Sequence, residues 1–177
     1  ILVANSNGRA VRFNESTVRN MGRNATGVRA ITLDNDGFDH VVGMIAIENP
    51  EEETVMIVSE YGYGKRSEIE DYRKTNRGGK GVKTINITEK TGKLISIQSV
   101  TDDNDLMIIN KSGITLRLDV STIRVMGRAT QGVRLINLEK RGDQIASICK
   151  VNSEPEVTEE TEATNGENVD TVENGNN

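Results

Sequence analysis

Tryptophan is absent from these 177 residues, and two Phe and three Tyr hold the aromatic share to 3%. Stacking on unpaired bases needs aromatic faces in succession, and Phe13, Phe38, Tyr61, Tyr63 and Tyr72 support it poorly. A single cysteine, Cys149, excludes an intrachain disulfide and fits a reducing cytoplasm; on an apolar stretch it reads as a small core residue. The one histidine, His40, has no cysteine cluster near it, which argues against a metal centre or a His-dependent triad. No signal peptide is visible, and the longest apolar runs have strand length, so no membrane partner is expected.

Basic charge looks scarce too, since the formal net charge is −5. The deficit is local. Residues 154–177 hold eight acids (Glu154, Glu156, Glu159, Glu160, Glu162, Glu167, Asp170, Glu173) and no Lys or Arg. The rest sets 22 basic against 19 acidic residues, a net +3. The end segment, rich in Glu, Thr and Asn, has too little apolar surface to offset the entropy of ordering, and is expected to be a disordered acidic tail.

What is present is a repeat. "GRAVRF…STVRNMGRNATGVRAITL" from Gly8, "GYGKRS…EDYRKTNRGGKGVKTINI" from Gly62 and "GITLRL…STIRVMGRATQGVRLINL" from Gly113 align without gaps at offsets of 54 and 51 residues. Each unit reads as four short strands: an apolar one ("ILVAN", "VMIVSE", "LMIIN"), a second after the turn glycine, a third ("GVRAITL", "GVKTINI", "GVRLINL") and a closing one ("HVVGMIAI", "KLISIQSV", "QIASICKV"). Alternation in the third places Ile31 with Leu33, Ile85 with Ile87 and Ile136 with Leu138 on one face. Four strands per roughly 50 residues, repeated, predict an all-β array of propeller-like blades. Three blades, at about 1–50, 55–103 and 106–153, fall short of a ring of the usual size, so the chain is expected to be a fragment of a longer one.

Aligning the units exposes four basic columns: Arg12, Arg66, Arg117; Arg19, Arg73, Arg124; Arg23, Arg77, Arg128; and Arg29, Lys83, Arg134. No column from the turn glycine to the end of the fourth strand is acidic in all three. One reading is bracing inherited by duplication, strongest for Arg12, Arg66 and Arg117, which sit mid-strand. The other is a track along a rim: duplex DNA carries a negative charge about every 1.7 Å, and a spaced row of cations suits phosphate contact with little sequence reading. Within "TNRGGKG", Gly78, Gly79 and Gly81 would let backbone N–H groups approach an anion that Arg77 and Lys80 neutralise; a tight turn explains the glycines equally well.

Other motifs fail on spacing. "YGYGKRS" resembles a phosphate-binding loop, but Ser59 stands where the first glycine belongs and a strand follows. "DNDGFD" and "DDND" lack the spacing of a calcium loop. The tyrosines are expected in turns and packing.

The blade pattern, "YGYGKRSEIEDY", "MGRxxxGVRxIxL", "RGGKG" and the acidic end together resemble the C-terminal β-pinwheel domain of the DNA gyrase A subunit, over residues 1 to about 152. Arg77, Gly78, Gly79, Lys80 and Gly81 match the last five positions of that family's Q-R-R-G-G-x-G box, while Thr75 and Asn76 replace its first Gln and Arg; the complete box is therefore expected upstream of Ile1. The resemblance implies that residues 1–153 are the last three blades of about six. They would bind and bend duplex DNA in support of ATP-dependent negative supercoiling by the parent type II topoisomerase. No cofactor or catalysis would belong to this segment; ATP and Mg2+ would be bound elsewhere in the complex. Its partners would be double-stranded DNA, the rest of the gyrase A polypeptide and the gyrase B polypeptide, in the cytoplasm on the bacterial chromosome. The DNA-contacting set would be Arg19, Arg23, Arg29, Arg73, Arg77, Gly78, Gly79, Lys80, Gly81, Lys83, Arg124, Arg128 and Arg134. A topoisomerase IV-type domain shares the blade but departs from the box; a propeller scaffold for protein partners would show salt-insensitive binding and an exposed apolar patch.

Deleting residues 154–177 is expected to tighten duplex binding at low salt, because a tethered polyanion competes with phosphate for the basic columns. Anisotropy titrations at several salt concentrations measure this, and an affinity unchanged throughout rejects a regulatory tail.

Overall fold

A computed structural model describes residues 1–35, 37–138 and 142–153. The acidic segment expected to be disordered, 154–177, lies outside the described residues. Eleven strands are present among those described: β1 (Leu2–Asn5), β2 (Arg9–Arg12), β3 (Val41–Ile45), β4 (Thr54–Ser59), β5 (Tyr63–Glu68), β6 (Val82–Lys83), β7 (Leu94–Val100), β8 (Asn104–Asn110), β9 (Thr115–Asp119), β10 (Val133–Arg134) and β11 (Ile145–Asn152). They form three antiparallel sheets in the orders β3-β1-β2-β6, β10-β5-β4-β7 and β11-β8-β9. A 3-10 turn follows the second strand of each unit, at Glu15–Thr17, Ile69–Asp71 and Val120–Thr122. No helix is long and apolar enough to cross a membrane among the described residues.

The sheets are the expected blades with one correction. The third strand of each unit does not pair within its own blade. Only two residues of "GVKTINI" are strand, and they pair with the preceding unit, Val82 opposite Ala10 and Lys83 opposite Arg9. Val133 and Arg134 likewise pair with Gly64 and Tyr63. Hydrophobic alternation reports that one face is buried but is silent on which sheet buries it. The crossing needs glycine: at Gly81, with φ +75°, a Cβ would lie 2.3 Å from the Ala10 carbonyl oxygen, and at Gly132, with φ +85°, 2.6 Å from that of Gly64. In the first unit, "GVRAITL" forms no strand. Its Ile31 instead packs with Val3, Val11 and Phe13 over the outer face of the first blade.

The blades stack face to face. Val55 and Ile57 of β4 meet Leu2 and Ala4 of β1, with Ile69, Tyr72 and Ile85 between. Met56 and Val58, on the other side of β4, meet Leu106 and Ile108 of β8. A strand buried on both faces must be apolar at successive positions, which is why "VMIV" is continuous. Burying each such side chain contributes about 1.5–3 kcal/mol. Cys149 departs from its expected core position and is exposed. It lies opposite Met107 on the outward side of the last blade, where no further blade packs among the described residues.

A guanidinium ties each blade to the next. The Arg12 side chain, 5% exposed as a residue, donates from Nη1 to the carbonyls of Ile69 and Tyr72 at 3.0 and 3.1 Å and pairs with Glu70. Arg66 repeats the arrangement, donating to the Val120 carbonyl at 3.1 Å and to Thr54 Oγ1 at 3.0 Å, with Asp102 at 2.7 Å. Ile69 and Val120 open the 3-10 turns of the following unit, where their carbonyls also accept the turn's own bond from the N–H of Tyr72 and Ile123, and Tyr72 caps the first of these turns. The bracing reading of this column is therefore correct, and the brace runs between units. Arg117, in the last unit, keeps a side chain 44% exposed and pairs with Asp105 at 2.5 Å; hydrogen bonds from Ser153 and then Arg117 lower the Asp105 pKa.

Arg12→Ala or Arg66→Ala should cost about 1.5–3 kcal/mol, the usual worth of hydrogen bonds to a charged donor, here buried between two units. Arg117→Ala, which removes only a partly exposed pair, should cost about 0–1 kcal/mol. Urea melts of the three variants would show two large losses and one small one.

Candidate nucleic-acid interface

With the first column committed to the blade junctions, the other three decide where charge is free. Arg19, Arg73 and Arg124 stand just beyond the 3-10 turns, one per unit, and all are exposed. Among the described residues no carboxylate pairs with any of them, since the three ion pairs there all engage Arg12, Arg66 or Arg117. Asn14 and Asp119 cap their turns by accepting from the backbone N–H of Ser16 and Ser121, fixing where the chain leaves each turn and so where Arg19 and Arg124 emerge. Arg73 and Lys80 come together at a hollow of about 370 Å³ whose floor includes Ala10 and Val82, so the blade junction itself positions them.

The third and fourth columns interlock across units. Arg77 donates to the carbonyls of Thr17 and Arg29, both at 3.3 Å. Arg128 donates to the carbonyl of Lys83 at 2.7 Å. In each pair an arginine of one unit holds the backbone beneath a cationic side chain of the preceding unit, which brings charge from neighbouring units side by side. Arg23, the equivalent in the first unit, has no preceding unit among the described residues and makes no hydrogen bond there. Arg29 and Lys83 are exposed, and Lys83 donates to Asn86 at 3.3 Å. Arg134 lies over the Tyr63 ring at 5.4 Å and donates to its hydroxyl at 2.9 Å.

In "RGGKG" the glycines divide by task. The Gly78 N–H donates to the Ala30 carbonyl at 2.7 Å, so it is not held ready for an anion. Thr32 returns two bonds, from N–H to the Gly79 carbonyl and from Oγ1 to that of Gly78. Gly81 permits the crossing onto β2. Gly79 and Lys80 remain as an exposed tip. The motif is thus a clasp on the first unit with one cation at its apex.

One participant has no counterpart in the repeat pattern. Lys65 is fully buried and its Nζ donates to the Gly127 carbonyl at 2.6 Å, at the base of the loop that carries Arg128. The other units have Val11 and Leu116 in its place; a lone polar residue in an apolar column was the available signal. Tyr72 is wholly buried, its hydroxyl 2.5 Å from Thr84 Oγ1, and burial pushes its pKa up to about 12, which suits packing.

Comparison with known proteins follows the repeat. The family model described as "DNA gyrase C-terminal domain, beta-propeller" matches residues 1–48, 53–101 and 104–151, once per unit. The DNA gyrase A subunit of Staphylococcus aureus is 46% identical over 168 residues, covering 93% of this chain and 18% of that protein. Its Staphylococcus epidermidis relative is 45% identical over 154 residues, covering 87% of this chain and 17% of that one. Among solved structures, the C-terminal domain of DNA topoisomerase IV matches with TM-score 0.79 and 22% identity, over 86% of this chain and 46% of that one. A DNA gyrase A C-terminal domain matches with TM-score 0.71 and 25% identity, over 84% and 49%. The chain spans less than a fifth of the length of the curated relatives and about half of the solved domains.

Burial lowers the Lys65 pKa from 10.5 to about 8. A folded-state value below the unfolded one means that the folded chain binds fewer protons between those limits, so stability is lost as pH falls from 10.5 towards 8. The melting temperature of the protein relative to a Lys65→Met variant should therefore rise as pH is raised through that window. A difference independent of pH would show that the amine does not titrate there.

Proposed function

Because the chain belongs to the DNA gyrase C-terminal domain, beta-propeller family, we propose that it binds duplex DNA along its rim and bends it, without chemistry of its own. The observation that carries this reading is the recurrence, once per unit, of an exposed cation with no carboxylate paired to it among the described residues, at Arg19, Arg73 and Arg124. Smooth bending of a duplex site costs about 1–6 kcal/mol and is offset by contacts distributed along an arc. A cation per blade supplies that distribution, and the Arg77–Arg29 and Arg128–Lys83 links hold the spacing. Phosphate contacts of this kind fix register without reading bases. Within a parent type II topoisomerase, joined to the rest of the gyrase A polypeptide and to the gyrase B polypeptide, the wrap would take one hand and feed negative supercoiling driven by ATP bound with Mg2+ elsewhere in the complex. The setting would be the bacterial cytoplasm, at the chromosome. Identity of 46% with the gyrase A subunit of Staphylococcus aureus supports gyrase as the parent.

Roles divide within the proposed contact set. Arg19, Arg73, Arg124 and Lys80 act on phosphate directly. Arg77 and Arg128 act chiefly as braces that also lend charge, with Arg23, Arg29, Lys83 and Arg134 alongside. Gly78, Gly79 and Gly81 shape the clasp.

Arg73→Ala with Lys80→Ala should weaken binding equally for unrelated duplex sequences and reduce the log–log salt slope by roughly 0.9 per lost contact, at unchanged melting temperature. Arg77→Ala and Arg128→Ala should lower the melting temperature with a smaller change in slope. Anisotropy and thermal melts on the same samples separate the two groups. Salt-insensitive binding in the unaltered protein would instead support a scaffold for protein partners.

A further inference from the structure

Lys65 stands where both of its counterparts are apolar. In the first junction Val11 lies under the loop glycine of the next unit, its Cγ2 2.9 Å from where a Cβ on Gly81 would be. In the second junction Lys65 takes that place under Gly132, where a Cβ would lie 3.4 Å from the Cβ of Lys65. The side chain then delivers its amine to the carbonyl of Gly127 at 2.6 Å. One residue of the second unit therefore spans the loop 127–132 of the third, from its last glycine to its first. The first junction has no such pin: Asn76 stands at the position of Gly127, and Val11 has no donor to offer it.

The pinned point governs the loop. The Gly127 carbonyl also accepts from the Thr130 N–H at 3.2 Å and from its Oγ1 at 2.9 Å, so the amine holds the place where the turn closes. Gly127 lies between Arg124 and Arg128 in the chain, and Arg128 is itself fixed twice to the second unit. Its backbone N–H donates to Asp71 Oδ2 at 3.3 Å, and its guanidinium to the Lys83 carbonyl at 2.7 Å. Asp71 is shared, since it accepts from Arg128 while its charge favours the ammonium form of Lys65; the Arg128 charge opposes that form. The other neighbours carry no free charge. Glu70, in the same 3-10 turn as Asp71, is engaged by Arg12, β4 sets Ile57 opposite Lys65, and β10 begins with Val133 beside it. Tyr72 lies near the same two charges and, with its pKa pushed up to about 12, stays neutral. Burial lowers the Lys65 pKa to about 8, so its charge changes just above neutrality.

We propose that Lys65 is a positioning residue for the DNA contact of the third unit: its ammonium pins the 127–132 loop and adds charge beneath Arg128, and loss of the proton slackens the grip on duplex. This rests on the duplex-binding reading above. A neutral amine donates a weaker hydrogen bond than an ammonium, so the pin loosens at the moment the charge beneath the rim is lost. Because the folded-state pKa is the lowered one, the ammonium prevails below about 8 and the amine above it. Affinity is therefore full near neutrality and reduced in mild alkali. The dependence belongs to one blade, since the loop carrying Arg77 and Lys80 rests on Val11.

Anisotropy titrations of a labelled duplex from about pH 7 to about pH 9 at constant ionic strength compare the unaltered chain with Lys65→Arg, charged throughout, and Lys65→Met, never charged. Affinity of the unaltered chain should fall about two- to fivefold over this range, the worth of one exposed ion pair. Its log–log salt slope should fall by roughly 0.9. Lys65→Arg should keep the higher affinity and Lys65→Met the lower one at both ends, while any other group that titrates in the window does so equally in all three chains. Without DNA, the carbonyl-carbon resonance of Gly127 in the unaltered chain should shift with a midpoint near pH 8, and that of Asn76 should not. This last measurement decides the matter even if neither variant folds. A Gly127 carbonyl that does not titrate, bound duplex indifferent to pH, or a Lys65→Met variant that follows the unaltered chain at every pH would each overturn the proposal. Absence of duplex binding at both ends would overturn the DNA reading instead, and the Gly127 carbonyl would still decide whether Lys65 switches the loop.

Discussion

Each of the first two blades is finished by the next one. A two-residue strand, a glycine pressed onto a carbonyl and an arginine reaching a 3-10 turn form one junction, and the sheet order, the stacked cores and the placement of the rim charge all depend on it. No unit closes its own hydrophobic surface: β4 is buried on both sides only because different neighbours lie against Val55 with Ile57 and against Met56 with Val58. Stability in such an array is a sum of the units' own stabilities and of their nearest-neighbour interfaces.

The same junction assigns the arginines. A guanidinium offers five donors in a planar fork, so it satisfies several carbonyls at once where a lysine could not. Arg12 holds two carbonyls inside the stack and Arg77 two at the surface, while Arg66 adds the Thr54 hydroxyl to one carbonyl and Arg128 holds one. Arg19, Arg73 and Arg124 hold no carbonyl among the described residues and stay exposed. Lys65 is the exception among buried cations, a single amine on a single carbonyl, and its lowered pKa reflects how little compensates its burial.

Much of this was legible in the residues alone. Turn glycines at offsets of 54 and 51 residues, apolar runs of strand length and repeated basic columns indicated an all-β array of blades. The mid-strand arginines were separable from the rest by position alone. What escaped was pairing across units: "GVKTINI" looks identical whether it pairs with its own blade or the previous one, because burial of Ile85 satisfies both. Cys149 was misplaced for a related reason, since an apolar strand at the end of a stack shows one face to solvent and the sequence does not mark the end. In the candidate site, the exposed arginines were found by column, whereas the clasp made by Gly78 and Thr32 depends on backbone bonds that leave no trace in residue type. Lys65 broke its column visibly but gave no hint of its partner.

The guanidinium groups of the clasp arginines bond to backbone, not to the side chains of Arg29 and Lys83. Arg77 grips the carbonyl of Arg29, and Arg128 that of Lys83, with no regard to what those residues carry. Assembly is therefore blind to residue identity at these two positions. The surface charge of each blade can drift from arginine to lysine, or to a neutral residue, without loosening the stack. At these two positions architecture and surface electrostatics are separately heritable: charge can change blade by blade while the scaffold stays the same.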